Sequence, residues 1–374
     1  MSRFDTSQVT DMSYMFQNCR MLRNLDLSNF DTSKVKFMNT INFNNFKTEN
    51  VEDMQEMFLY CRKLTSIDLS RFNTSKVKNM DRMFYGCEEL ESLDLTSFNT
   101  KEVSSMSYMF FGCQRLLSLV LTRNFDVSNV SKMDYMFYSC SRLTFLDLSY
   151  FKTSKVTSME SIFRECTRLE YLNISNFDTS KLTSMANLFY GCSSLKSLNV
   201  LSFVTTNVRR FDYMFKRCSK LLSLDLSIFN TSNAVSFDGM FDECYSLEIL
   251  NASSFDTSKV TSMIYMFSNC MQLTSLDVSN FNINEVIHLD GMFMNCSNIS
   301  NLNLNNFIGK KVISLIGMFK GCHSLTFLYL SNLESSPKYI DNMFENCQYL
   351  GQLEIPKLIT DNIESAEHLF ENCN

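Results

Sequence analysis

The chain has 374 residues and a net charge of −6, with 45% apolar and 20% charged residues, 14 cysteines, 9 glycines, 2 prolines, 3 histidines and no tryptophan. That much apolar material excludes a disordered chain, and mild acidity without long charged blocks excludes a nucleic-acid-binding surface. No run of about 18 apolar residues is present to form a transmembrane segment, and glycine and proline are too scarce for several globular domains joined by loops.

Taken from the N-terminus, Met1-Ser2-Arg3-Phe4-Asp5 holds no apolar leader. The cysteines that follow stand at 19, 61, 87, 113, 140, 166, 192, 218, 244, 270, 296, 322, 347 and 373, almost always 26 apart. A fixed period of this size over residues 1–374 predicts a single repeat solenoid of about 14 coils. The first gap is 42 residues, and Phe30 to Phe46 is 16 where 26 are expected. Met38 runs almost directly into Ile41, Phe43 and Phe46, so a shortened coil is expected around 30–46, with its Met-Phe and Cys segment trimmed.

Every regular repeat carries the columns of Val260, Met263, Met266, Phe267, Cys270, Leu273, Leu276, Val278 and Phe281. From valine to cysteine the apolar offsets 0, 3, 6, 7 and 10 predict one face of a short helix. Asp11, Asp134 and Ser262 suit its first turn, and Gly or Asn before the cysteine in nine of fourteen repeats suits a left-handed residue closing it. Arg20, Arg62, Arg115, Arg142 and Arg168 then place positive charge near the helix C-termini. From the first leucine the period tends toward two, and Leu276-Asp277-Val278 reads as a short strand of one parallel sheet. Phe-Asp-Thr-Ser turns the chain, and stacking shelters the second side of each coil. The fold class is therefore α/β, with short parallel strands on one face of the coil and short helices on the other.

The stretch Leu143-x-x-Leu146-x-Leu148-x-x-Phe151 resembles the leucine-rich-repeat signature. The longer string Leu273-Thr-Ser-Leu276-Asp-Val278-Ser-Asn-Phe281, preceded by Met-Phe-x-x-Cys, is similar to the 26-residue repeat of BspA-like bacterial surface proteins, over residues 4–373. This resemblance implies a right-handed solenoid, a non-enzymatic binding or adhesion role, and display at a cell surface or secretion. With no apolar leader, an intracellular, cytoplasmic interaction scaffold is the alternative.

No C-x-x-C pair is present, and the cysteine column reads as a small polarizable filler, with a disulfide or metal ladder as the other reading. The Met-Phe column reads as core. His288, His323 and His368 have no nucleophile and carboxylate tied to them, so neither an active site nor a cofactor is expected. The outward face of the strands carries Asp26, Asp68, Asp94, Asp147, Asp225 and Asp277, with Asn173, Asn199, Asn251 and Asn303 in the same column. One reading is an acidic recognition surface with bridging cations; the preferred one is a solvated ladder, since Asn substitutes freely.

Aromatics that break this column are the better anchors for a partner: Phe145 and Tyr171 in adjacent coils, Tyr150 beside them, and Phe327 with Tyr329 further on. Leu201 and Ile249 add apolar bulk. A protein partner is the first expectation and a glycan the second. Toward the end Leu333 and Leu358 replace phenylalanine, Ala366 replaces methionine, and Pro337 and Pro356 appear, predicting a partial cap over 333–374 beyond a last strand triplet Leu353-Glu354-Ile355. Because both ends fall inside a repeat, at Phe4 and Cys373, end-to-end assembly into a structural array is the alternative function.

Overall fold

The structure, a computed structural model, describes residues 8–9, 48–330 and 332–373; the shortened coil around 30–46, with Asp11, Cys19, Arg20 and Asp26, lies outside the described residues. The chain divides into two compact units, Met1–Lys181 and Leu182–Asn374. Each is a stack of coils with a strand segment and a turn segment.

The strand segment centres on the second leucine, whose side chain is more buried than those of its two neighbours. Eight three-residue strands form: β1 (Ser92–Asp94), β2 (Ser118–Val120), β3 (Phe145–Asp147), β4 (Tyr171–Asn173), β5 (Ser223–Asp225), β6 (Ile249–Asn251), β7 (Phe327–Tyr329) and β8 (Gln352–Glu354). They pair in parallel as β1–β2 and β3–β4 in the first unit and β5–β6 and β7–β8 in the second. The single continuous sheet expected from the sequence is therefore four short pieces among the described residues. Leu276-Asp277-Val278 lies outside them, and β8 starts one residue ahead of the expected triplet.

The expected helices are a correction. Among the described residues no helix forms, and the valine-to-cysteine segment is a succession of tight turns. In one coil the Met109 amide donates to the Met106 carbonyl (3.3 Å), Phe111 to Tyr108 (3.1 Å), and Cys113 to Phe110 (3.2 Å). The amides of Tyr108, Phe110 and Gly112 instead reach the next coil, donating to the carbonyls of Asp134, Met136 and Tyr138 at 2.8, 2.9 and 2.8 Å. Tyr108 (φ 60°) and Gly112 (φ 71°) occupy the third corner of their turns, where a type II turn requires positive φ. The residue before the cysteine is thus left-handed as expected, but it closes a turn.

Two features explain why the offsets 0, 3, 6, 7 and 10 misread as a helix. A run of three-residue turns also brings every third or fourth side chain to one face. Spacing then decides between the two. Stacked helices need about 8–10 Å each, whereas the coil-to-coil hydrogen bonds of Tyr108, Phe110 and Gly112 hold this segment at a strand-like spacing of about 4.8 Å, which leaves no room for helices here.

Three hydrogen-bonded columns lock coil to coil. Just before the first methionine, single-residue parallel bridges run Asp53–Asn79–Ser105–Lys132–Ser158 in the first unit and from Ser184 through Arg210 and Ser262 to Ser365 in the second. Beside this ladder, Asp81 Oδ1 accepts from Ser105 Oγ (2.5 Å) and the Ser107 amide (2.7 Å), and Asp134 does the same for Ser158 and Glu160. These carboxylates clamp the following coil instead of capping a helix. Lastly, buried Thr153 donates to the Asp178 carbonyl (2.9 Å) and accepts the Asp178 amide (2.8 Å).

Inside, phenylalanines stack coil on coil: Phe84–Phe110 at 5.8 Å and Phe110–Phe137 at 5.4 Å in the first unit, Phe215–Phe241 and Phe241–Phe267 both at 5.6 Å in the second. The Met-Phe column is core, as expected, with Met106, Met109 and Phe110 fully buried. Of the arginines assigned to helix C-termini, Arg62 pairs sideways with Glu88 at 3.3 Å and Arg115 with Glu89.

Close stacking leaves little room beside some glycines. Gly291 has φ 58°, and a Cβ there would lie 2.3 Å from the ring of Tyr265 one coil earlier. Gly291→Ala is expected to lower the urea midpoint by the equivalent of about 1–2 kcal/mol. Tyr265→Ala in the same chain should recover part of the loss. Gly351→Ala, whose Cβ would meet only a carbonyl at 3.8 Å, should not lower it.

Candidate binding surface

In the first unit, parallel pairing sets Phe145 of β3 directly beside Tyr171 of β4. Their rings stack at 4.6 Å and 5°, while 59% and 46% of the two residues stay exposed. The paired strands aim both side chains the same way and each ring lies on the other, so together they present a flat aromatic plate. Val120 of β2, in the column that usually holds Asp or Asn, and Leu117 extend the apolar area. A hollow of about 280 Å³ beside the plate is lined by Val120, Phe145, Asp147 and Tyr150. The structure thus brings together four of the residues singled out in the sequence: Phe145, Tyr171, Tyr150 and Asp147.

The others belong to the second unit. Phe327 and Tyr329 share β7, both half-buried, with rings 5.8 Å apart and tilted by 57°. Asp225 ends β5 and lines a hollow of about 280 Å³ with Ser223 and exposed Leu201. Ile249 of β6 is 66% exposed. Asp277 stands in a coil without a strand.

The outward Asp/Asn column has a local role. Oδ1 of Asp147, Asp225 and Asp277 accepts the amide two residues on, from Ser149 (2.9 Å), Ser227 (3.0 Å) and Ser279 (2.9 Å). Asn173 and Asn303 make the same bond to Ser175 and Asn305. Both residue types supply that oxygen, which explains why they exchange freely. Bonds from Ser227 and Ser279 hold the carboxyls of Asp225 and Asp277 below the usual range, so both are ionised at neutral pH with one oxygen facing outward.

A second aromatic surface, on the turn segment, escaped the sequence reading. Tyr85, Phe111 and Tyr138 stack at 4.4 and 4.5 Å, and Tyr108 lies on Tyr135 at 4.8 Å. Arg82 sits 5.4 Å over the Tyr108 ring and Arg164 5.8 Å over that of Tyr138. The signal was present two and five residues before the cysteines. It was masked because those positions were assigned to the exposed side of a helix, where adjacent coils would not touch.

Six overlapping stretches, residues 1–44, 36–145, 91–172, 140–248, 222–333 and 301–374, match the family described as Mycoplasma protein of unknown function, DUF285. The chain belongs to this family. The 26-residue period of this DUF285 chain carries its resemblance to BspA-like leucine-rich-repeat proteins, and similar solved structures are leucine-rich repeat proteins too. A leucine-rich cell surface protein from Faecalibacterium prausnitzii is 20% identical, with 92% of this chain and 76% of that one covered and a TM-score of 0.44. A leucine-rich repeat protein from Bacteroides ovatus is 18% identical over 71% of this chain and 81% of its own, with a TM-score of 0.32. The Drosophila Toll–Spätzle complex is 16% identical over 88% of this chain and 45% of its own, at 0.32. None of the curated proteins matches the chain.

The cysteines of this DUF285 chain are structural. All thirteen described are free thiols, twelve of them buried. Each Sγ donates to a phenylalanine carbonyl of the preceding coil where that bond is resolved, as from Cys113 to Phe84 (3.3 Å) and from Cys270 to Phe241 (3.3 Å). The filler reading therefore holds, although the column lines stacked turns instead of helix ends. Burial pushes the thiols of Cys113, Cys166, Cys218 and Cys296 from 9.0 up to about 12. Between those values the unfolded chain releases protons that the folded chain keeps. The stability from buried neutral thiols is therefore full below pH 9 and lost as pH rises toward 12. The thermal midpoint is expected to fall across this window, and less steeply in a Cys113→Ala/Cys166→Ala chain; equal slopes would count against the assignment.

Proposed function

We propose that the chain is a non-enzymatic scaffold that holds a protein partner against the strand-lined face of its first unit. The observation that carries this reading is the Phe145–Tyr171 plate, stacked at 4.6 Å on adjacent strands yet largely exposed. Aromatic side chains offer some 150–250 Å² of contact each, and rings already stacked on each other lose little entropy on binding. Val120 and Leu117 enlarge the apolar centre, while Asp147 and the surrounding serines form the polar rim usual for protein interfaces. In the second unit Phe327, Tyr329, Leu201 and Ile249, with the outward carboxylates of Asp225 and Asp277, are a further contact area of the same kind. The resemblance to BspA-like proteins extends the reading to a partner met at a cell surface.

No helix among the described residues is long and apolar enough to cross a membrane.

Phe145→Ser/Tyr171→Ser is expected to abolish retention of a partner protein by the immobilised chain while leaving the circular dichroism unchanged. Retention equal to that of the parent chain removes the plate from the site. Loss of retention after glycosidase treatment of the partner would move the reading to a glycan.

A further inference from the structure

One coil of the first unit is a residue longer than its neighbours: Cys113 to Cys140 is 27 residues, and the extra one lies between Leu121 and Phe125. The usual Asp is Val120 here, so no outward carboxylate caps the turn. Thr122 Oγ1 accepts the Asn124 amide instead, at 3.4 Å, and the turn closed by the Phe125 amide on the Thr122 carbonyl (2.9 Å) carries Arg123 at its exposed corner.

Beneath this turn lies a cavity of about 710 Å³, lined by Arg123, Asp126 and Ser128 of the long coil, Ser149, Tyr150 and Lys152 of the next, and Asn176 of the one after. Two of these residues break columns that elsewhere satisfy the backbone. Lys152 stands where Asn73, Asn99, Asp126 and Asp178 each accept the amide two residues on. Tyr150 stands where Asn176, Asn280 and Asn332 each donate to a carbonyl of the preceding coil. The phenol oxygen of Tyr150 is buried and has no hydrogen-bond partner. Burial, then the nearby Asp147, pushes the phenol up to about 12, so at neutral pH it remains a donor.

The charges are unbalanced as well. Some basic side chains of this unit pair from coil to coil, Lys78 with Glu52 at 2.8 Å and Arg82 with Glu56 at 2.9 Å. Among the described residues Arg123 and Lys152 form no ion pair, and Asp126, the one carboxylate lining the cavity, has Oδ1 committed to the Ser128 amide at 2.8 Å. Two cations and a tyrosine whose phenol proton is unclaimed among the described residues thus line one cavity in a protein of net charge −6.

We infer that this cavity receives an acidic side chain of a protein partner whose apolar residue lies on the Phe145–Tyr171 plate. The inference rests on the plate being the docking surface and adds the chemistry of what docks there. Tyr150 lines both hollows, so a single short segment spans them. Asp147, on the plate side of Tyr150, repels an acid placed there and directs the carboxylate toward Arg123 and Lys152.

The test uses the full chain and three fluorescein-labelled dodecapeptides that share two phenylalanines and differ only in carrying Glu, Gln or Lys at the flanking positions, read by fluorescence polarisation. The Glu peptide is expected to bind about tenfold more tightly than the Gln peptide at low salt, with the preference shrinking as salt is added. Arg123→Gln/Lys152→Gln should erase that preference by weakening the Glu peptide to the affinity of the Gln peptide, and Tyr150→Phe should weaken the Glu peptide by about threefold. Phe145→Ser/Tyr171→Ser should weaken all three. Equal binding of the Glu and Gln peptides, or a preference that survives Arg123→Gln/Lys152→Gln, overturns the acidic partner; if the plate variant still loses binding, the docking surface stands. Binding indifferent to the plate variant, or no binding by any peptide, overturns both.

Discussion

Neighbouring coils must sit about 5 Å apart, and most of the structure follows from that spacing. Parallel strands impose it on one side of the coil. On the other, amides such as those of Tyr108, Phe110 and Gly112 can reach the next coil's carbonyls only if that segment is equally thin. A chain of type II turns is thin enough and a helix is not. The cost falls on the backbone: each coil holds two left-handed residues, and among the described residues 19 of these are not glycine while 7 are. An L-residue in that region loses roughly 1–2 kcal/mol. The conformation persists because its amides are paired between coils and the phenylalanine, methionine and cysteine side chains beneath are shut away from water.

The same spacing explains what could be read before any coordinates. Period, core columns and the adjacency of Phe145 and Tyr171 were legible because residues 26 apart become neighbours under any coil geometry. The strand segment was legible because alternation of buried leucine and exposed polar residue is specific to extended chain. The turn segment was not, because a recurrence of three or four residues is common to a helix and to consecutive turns, and nothing in the offsets distinguishes them. That single error hid the Tyr85–Phe111–Tyr138 stack, since helices 8–10 Å apart would keep those rings from touching. It also gave the wrong geometry for the cysteines, whose burial as free thiols comes from the Phe carbonyls they reach in the preceding coil.

The Asp/Asn column shows how a surface feature that looks like a recognition motif arises from backbone chemistry. A turn after each strand leaves an amide to satisfy, and Asp147, Asn173, Asp225 and Asp277 each do so with Oδ1. The negative charge is incidental to that bond, which is why Asn serves equally. A carboxylate in this column therefore points to function only where its second oxygen borders something unusual, as at Asp147 beside the aromatic plate.

Departures from the columns are more informative than the columns themselves, provided they gather in one place. Substitution by drift would scatter, because every coil offers the same exposed positions. In the first unit three departures fall in consecutive coils around the one inserted residue: Val120 for a capping Asp, Tyr150 for a bonded Asn, and Lys152 for a capping Asp or Asn. Each gives up a hydrogen bond that its column normally makes, and each replaces it with a group that faces a hollow. Buried Thr153 still joins its coil to the next, so the stack holds while the surface changes. A frame whose coil-to-coil bonds lie on buried threonines and backbone amides can surrender outward bonds locally, and the coils from Cys113 to Phe177 are where this one has done so.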